Sequence, residues 1–263
     1  MKLGITLPTF TNDPSVALRA AATADAVGLD GVFAFDHLWP MGSPGRPALW
    51  SFGVLAAVAV RTERVHVGTL VARVGLLPDE DLLAAFAALE DVSGGGRVIA
   101  GVGTGDHLSA PENRAYGVAY PHAAARLAGV EQVAAALVCA GVPTWVGGRS
   151  AATRDVAARA GAGRNLWGAG PDEVAAAQQD GAALPVTWGG QVLVGRDVGA
   201  RDALLSRYGR RPGLVAGTVQ EVAAHLAVLR AAGAAWCVCA PLDYIAAPDE
   251  AVETVGLVRE AIT

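Results

Sequence analysis

Short apolar runs alternate along this chain with longer stretches whose apolar positions recur at helical spacing. The runs Lys2–Leu7, Gly31–Phe35, Val65–Val71, Val98–Gly103, Thr144–Gly147, Arg164–Trp167, Gln191–Gly195 and Trp236–Ala240 predict eight strands. The intervening stretches 14–27, 79–92, 121–140, 150–160, 172–180, 219–232 and 249–262 predict helices. Asn12-Asp13 offers a cap to the first helix, whose Val16, Ala20 and Ala24 share one face. Acids behind Pro78 open another, and Gly94-Gly95-Gly96 ends it. Strand–helix repeats filling roughly 250 residues predict an α/β fold of the (β/α)₈ TIM-barrel type. A doubly wound open sheet is the alternative, but the loop after the first strand reads Pro8-Thr9-Phe10-Thr11 and carries no Gly-x-Gly-x-x-Gly. No linker or charge block divides residues 1–263, so one domain is expected.

In such a barrel the C-terminal strand ends share one mouth, and there the sequence changes character. Gly101-Val102-Gly103-Thr104-Gly105-Asp106 ends a strand in small residues and then presents a carboxylate. Val32-Phe33-Ala34-Phe35 runs into Asp36-His37-Leu38-Trp39. Histidine titrates nearest neutrality, so His37 is the first candidate for proton transfer, with Asp106 as the partner acid. Gly147-Gly148-Arg149-Ser150 at a helix start forms a credible anion cradle. Trp39 and Trp167 stand as candidate walls of a substrate pocket. His66 is expected on the outer barrel face, and His107, His122 and His225 near solvent.

Composition narrows the chemistry. Hydrophobic residues make up 52% and charged ones 17%, which predicts a large core and little disorder. The net charge of -5 argues against nucleic acid. No apolar run approaches the ~18 residues of a membrane span. Cys139, Cys237 and Cys239 make no disulfide framework, and with no signal-peptide pattern at the start a cytoplasmic protein is expected. The single lysine, Lys2, sits at the beginning of the chain and disfavours Schiff-base chemistry. No His/Cys/carboxylate set has metal-ligand spacing, so no metal is expected.

At its strand ends the chain resembles the bacterial luciferase-like flavin and deazaflavin oxidoreductases, and most closely the coenzyme F420-dependent branch. The resemblance runs in order through Asp36-His37-Leu38-Trp39, Gly68-Thr69-Leu70-Val71, Asp91-Val92-Ser93-Gly94-Gly95-Gly96-Arg97, Gly103-Thr104-Gly105-Asp106, Pro143-Thr144-Trp145-Val146-Gly147-Gly148 and Gly217-Thr218-Val219-Gln220-Glu221-Val222. It implies a TIM barrel, an oxidoreductase with a small-molecule substrate, coenzyme F420 as cofactor with FMN as the alternative, and a homodimer. It implies catalytic roles for His37 and Asp106. It implies cofactor contacts from Asp36, Thr69, Leu70, Val71, Thr104, Gly105, Ser109, Gly147, Gly148 and Arg149, with a non-proline cis peptide near Leu70-Val71. Three features depart from the pattern: Asp106 stands in place of the common Glu, Ser109 in place of Asn, and Val74-Gly75-Leu76-Leu77-Pro78 in place of an Arg-His-Pro loop. An FMN-dependent monooxygenase and a non-catalytic cofactor-binding barrel remain the rival readings.

Overall fold

The computed structural model describes residues 1–40, 43–105, 108–180 and 184–262. In chain order the elements are β1 (Lys2–Thr6), α1 (Pro14–Ala26), β2 (Gly31–Ala34), α2 (Ser51–Ala59), β3 (His66–Thr69), β4 (Ala72–Arg73), α3 (Asp79–Val92) and β5 (Val98–Gly103). They continue with α4 (Ser109–Ala115), α5 (Ala123–Cys139), β6 (Thr144–Gly147), α6 (Ala151–Ala160), β7 (Gly163–Trp167) and α7 (Pro171–Gln179). The last are β8 (Val186–Gly195), α8 (Val198–Tyr208), β9 (Val215–Thr218), α9 (Val219–Ala231), β10 (Trp236–Pro241) and α10 (Pro248–Ile262).

All pairings are parallel, and β10 bonds to both β1 and β8, which closes an eight-stranded barrel through β1, β2, β3, β5, β6, β7, β8 and β10. Closure is set by the registers Leu3↔Cys237 and Ile5↔Cys239 on one side and Val238↔Gly189 on the other. The (β/α)₈ architecture is therefore present. Two strands lie outside the barrel count. The two-residue β4 continues β3 along β5, and β9 pairs with the far half of β8 from Val192 to Gly195.

The sequence begins strand seven at Gln191, whereas β8 starts at Val186. Helices α2 and α8 and strand β9 are additions to the sequence-based list. Asp197 caps α8 by accepting from Ala200 N–H at 2.8 Å, and β9 ends at Thr218, which with Glu221 forms the capping box of the predicted helix α9.

Two apolar layers hold the fold. The larger lies between strands and helices, with Ile5, Val32, Val67, Phe86, Leu226 and Val252 among its members. The smaller fills the barrel interior with Phe33, Leu70, Ile99, Trp145, Trp236 and Val238. Trp145 packs against Phe33 at 5.3 Å and Trp236 at 5.6 Å between ring centroids. Room for these rings comes from inward positions without side chains; a Cβ on Gly31 would stand 3.0 Å from the Trp236 ring and one on Gly68 3.2 Å from the Phe33 ring. His66 shares this interior face: its ring meets Trp236 edge-on at 5.5 Å and its Nδ1 lies 3.0 Å from the Asp30 carbonyl. The expected outer-face position is corrected, because alternation along β3 puts His66 on the same side as Gly68 and Leu70.

Candidate active site

The peptide between Leu70 and Val71 is cis, as the resemblance implies. The bulge lies between β3 and β4. Leu70 N–H donates to the Ala34 carbonyl at 2.9 Å, and the Thr69 hydroxyl to the Gly101 carbonyl at 2.6 Å. The Thr69 side chain is therefore bound to its own sheet. Val71 packs over the bare ends of β5 and β6: a Cβ on Gly103 or Gly147 would meet its methyl groups at 2.6 and 3.0 Å. The result is a floor of backbone and one isopropyl group, which suits a flat ring.

Gly105 continues that floor with φ +64°, and a Cβ there would strike Arg73 Cδ and Ser109 Oγ below 3 Å. Ser109 is buried directly beneath it, opening α4, and the Thr104 hydroxyl donates to the Gly105 carbonyl at 2.9 Å. Asp106 and His107 lie outside the described residues.

At the end of β6, Gly148 has φ +133° and abuts Thr153. Ser150 caps α6 by accepting from Thr153 N–H at 3.2 Å. This cradle holds backbone amides at a helix N-terminus, which favours an anion. Arg149 is tied to Glu173 through Nε at 3.1 Å and Nη2 at 2.6 Å, at the surface.

Asp36 braces the bulge. Its Oδ1 accepts from the Ser51 hydroxyl and its Oδ2 from Arg73 N–H, each at 3.0 Å, so it joins the start of α2 to β4. His37 follows in the same loop, with its side chain 20% exposed. Its Nδ1 lies 2.9 Å from Oε1 of Glu112, a residue absent from the sequence-based list. Glu112 is 1% exposed; its Oε2 accepts from Leu38 N–H at 3.0 Å and from Arg73 Nη2 at 2.7 Å. Arg73 is itself buried, 4% exposed.

Burial alone would raise the Glu112 carboxyl, but the donors from His37, Leu38 and Arg73 outweigh it and hold its pKa below the ordinary range. An ionised carboxylate fixed on Nδ1 selects the Nδ1–H tautomer of His37 and leaves Nε2 to work on a ligand. The arrangement resembles the carboxylate–histidine part of a triad: a base, and an acid that orients it. The pairing was hidden in the sequence because 75 residues separate the partners. Glu112 in Pro111-Glu112-Asn113 also looks like an ordinary acid on a solvated helix turn.

Across the mouth, Trp167 meets Phe35 edge-on at 5.5 Å, Phe35 stacks on Phe10 at 5.8 Å, and Phe10 lies 6.1 Å from the His37 ring. Trp39 stands half-buried in the His37 loop, outside this aromatic row. Among the described residues no group of His, Cys, Asp and Glu is placed to hold a metal ion, and no helix is long and apolar enough to cross a membrane.

The chain is 34% identical to an F420-dependent glucose-6-phosphate dehydrogenase of Amycolatopsis mediterranei over 109 residues, 41% of this chain and 33% of that protein. It is 36% identical to the enzyme of the same name from Nakamurella multipartita over 120 residues, 45% and 34% of the two chains. The matched stretches thus span about a third of these relatives' length. Among solved structures, the fold is similar to the F420-dependent tetrahydromethanopterin reductase of Methanopyrus kandleri, with TM-score 0.78 and 16% identity over 100% of this chain and 99% of that one. It is also similar to a type II Baeyer–Villiger monooxygenase component of Pseudomonas putida in complex with FMN, with TM-score 0.73 and 14% identity over 100% and 98%. The luciferase-like monooxygenase family model matches residues 1–137, a stretch that holds the His37 loop, the cis bulge and Glu112, and the chain belongs to that family.

Proposed function

We propose that this protein is a coenzyme F420-dependent oxidoreductase acting on a small organic molecule. The observation that carries the reading is the join of two features at one mouth. One is the side-chain-poor floor around Val71, Gly103 and Gly105. The other is His37 with Nδ1 held by a buried, ionised Glu112. The names of the curated relatives favour the deazaflavin over FMN.

The cofactor supplies hydride acceptance or donation when bound. The chain's own residues do the rest. The floor and the Gly147–Ser150 cradle suit a ring and a phosphate, since their glycines leave backbone exposed where any Cβ would intrude. His37 Nε2 takes a proton from the substrate, or returns one, as hydride moves, and the imidazolium formed is stabilised by Glu112. Asp106, next after Gly105, is the second acid of the proposal. A homodimer is part of the proposal, and the exposed apolar side chains Trp50 and Val60 flank α2.

The test is a titration of purified protein with F420 and with FMN, followed by absorbance and fluorescence. Saturable F420 binding with weaker FMN binding is expected. Preference for FMN would move the protein to the monooxygenase side of the family, and binding of neither supports a barrel without redox function.

A further inference from the structure

We infer that Arg73 is a positioning residue of this site, whose guanidinium holds Glu112 in the state that leaves His37 Nε2 free to accept a proton. The inference rests on the reading of the mouth given above and deepens it by naming what sets the base. Arg73 stands on the two-residue strand β4, just after the cis bulge, and is 4% exposed. It is held along its whole length. Asp36 Oδ2 accepts its backbone N–H at 3.0 Å, and its stem passes beside Gly105, where an added Cβ would meet its Cδ at 2.7 Å. At the far end Nη2 donates to Glu112 Oε2 at 2.7 Å and Nη1 to the Ser109 carbonyl at 3.4 Å. One fixed side chain thus joins the bulge to the carboxylate that orients His37.

An arginine at this depth calls for a reason. Charged side chains are almost never fully buried unless paired, and a buried ion pair adds little stability over apolar side chains of similar volume. What an apolar side chain here could not do is keep Glu112 charged. Burial works against the ionised carboxyl, and His37 Nδ1, Leu38 N–H and Arg73 Nη2 oppose it. Of these three donors only the guanidinium brings a permanent charge. The other titratable groups around the pair, among the described residues, are Asp36 on the loop after β2 and Tyr116 on α4. One is an acid and the other a phenol, so neither replaces the positive charge.

Without Arg73 the Glu112 carboxyl rises and takes up a proton from solvent. Its new O–H donates to His37 Nδ1, which must then accept. The ring gives up its Nδ1 proton and carries one on Nε2 instead, and the base is lost. Raising the pH removes the added proton from Glu112 and restores the Nδ1–H tautomer. Loss of Arg73 therefore turns a fixed carboxylate into one that readies the base only at higher pH.

The test uses Arg73→Met, which keeps the length of the stem and removes the charge, and Arg73→Gln, which keeps a neutral donor. Glu112→Gln is the control, and each variant is checked for folding by circular dichroism. Nitrogen NMR of the His37 ring, without cofactor, is followed from neutral to alkaline pH. Wild type is expected to hold Nδ1–H throughout and Glu112→Gln to hold Nε2–H throughout. The Arg73 variants should show Nε2–H at neutral pH and return to Nδ1–H as the pH rises. Single-turnover hydride transfer with F420 should follow the ring: slower by roughly 10²–10⁴-fold at neutral pH in Arg73→Met, and recovering with pH where Glu112→Gln does not. Nδ1–H kept at neutral pH in a folded Arg73 variant, or Nε2–H that persists at every pH, overturns the inference. Failure of the cofactor reading shows separately, as absent F420 binding while the pH-dependent exchange of tautomers is still seen.

Discussion

Replacing Glu112 perturbs the site where the structure gives the most to calculate with. Its carboxylate receives three donors, His37 Nδ1, Leu38 N–H and Arg73 Nη2, between 2.7 and 3.0 Å. Glu112→Ala removes the acceptor oxygens of all three donors and strands a guanidinium that is 4% exposed. Breaking a buried ion pair from one side costs about 3–5 kcal/mol. With a urea m-value of about 2 kcal/mol/M, the unfolding midpoint should fall by roughly 1.5–2.5 M. Glu112→Gln is the sharper variant, because it keeps the volume and one acceptor oxygen. That oxygen is drawn to Arg73 and Leu38, which leaves the amide NH₂ facing His37 Nδ1. Nδ1 must then accept, so the ring proton moves to Nε2 and the base is lost.

The expected result is F420 affinity within a few-fold of wild type and single-turnover hydride transfer slower by roughly 10²–10⁴-fold. Nitrogen NMR of the His37 ring should report the exchange of tautomers directly, which a merely structural loss would not produce. Unchanged hydride transfer in a folded Glu112→Gln protein, with the ring in its original tautomer, refutes the orienting role.

Other consequences follow from the same structure. The folded Glu112 carboxyl titrates below its ordinary 4.5, so its contribution to stability is present above that pH and is lost as pH falls through the lowered value. Acid unfolding should show this limb in wild type and not in Glu112→Ala. His37→Ala should slow turnover by roughly 10²–10⁴-fold while leaving F420 titrations nearly unchanged; normal hydride transfer in this variant would reduce His37 to a brace for its loop. Gly148→Ala, at φ +133° against Thr153, should weaken the cofactor's phosphate contact and cost about 1–3 kcal/mol of stability, read by F420 titration and urea unfolding. Burial pushes the Cys239 thiol up to about 12 and Cys237 well above its usual range. A thiol reagent at mild pH should therefore label exposed Cys139 at once and the other two only after unfolding. Light scattering should give twice the 26.6 kDa chain mass; a monomer at micromolar concentration removes the dimer from the proposal.

What the sequence disclosed and what it withheld divide along a physical line. Strands covered on both faces appear as unbroken apolar runs, so seven of the eight barrel strands were legible to within a residue or two, and the closure of β1 on β10 followed from their number. The eighth falls short at Gln191, just after the glycine pair Gly189-Gly190 breaks the apolar run. In the barrel, Gly189 is a strand interior where the Trp167 ring takes the place of a side chain, 2.8 Å from where its Cβ would stand. The Trp188 indole N–H meanwhile donates to Ala169 outside the barrel. A glycine marks missing volume, and one sequence cannot say whether a turn or a neighbouring ring needs the space.

The site shows the same limit. Small residues and a histidine at strand ends are local signals, and they drew attention to His37, Gly105 and Gly148. Glu112 and Arg73 are ordinary in their own segments and acquire a role only by meeting each other and His37 in three dimensions. Their burial is what gives the meeting consequence. A carboxylate at this depth holds its charge only while Arg73 and two further donors face it. It can fix a histidine tautomer only while it holds that charge. The proton chemistry proposed for His37 therefore depends on a buried cation, and Arg73 becomes as necessary to the base as the carboxylate beside it.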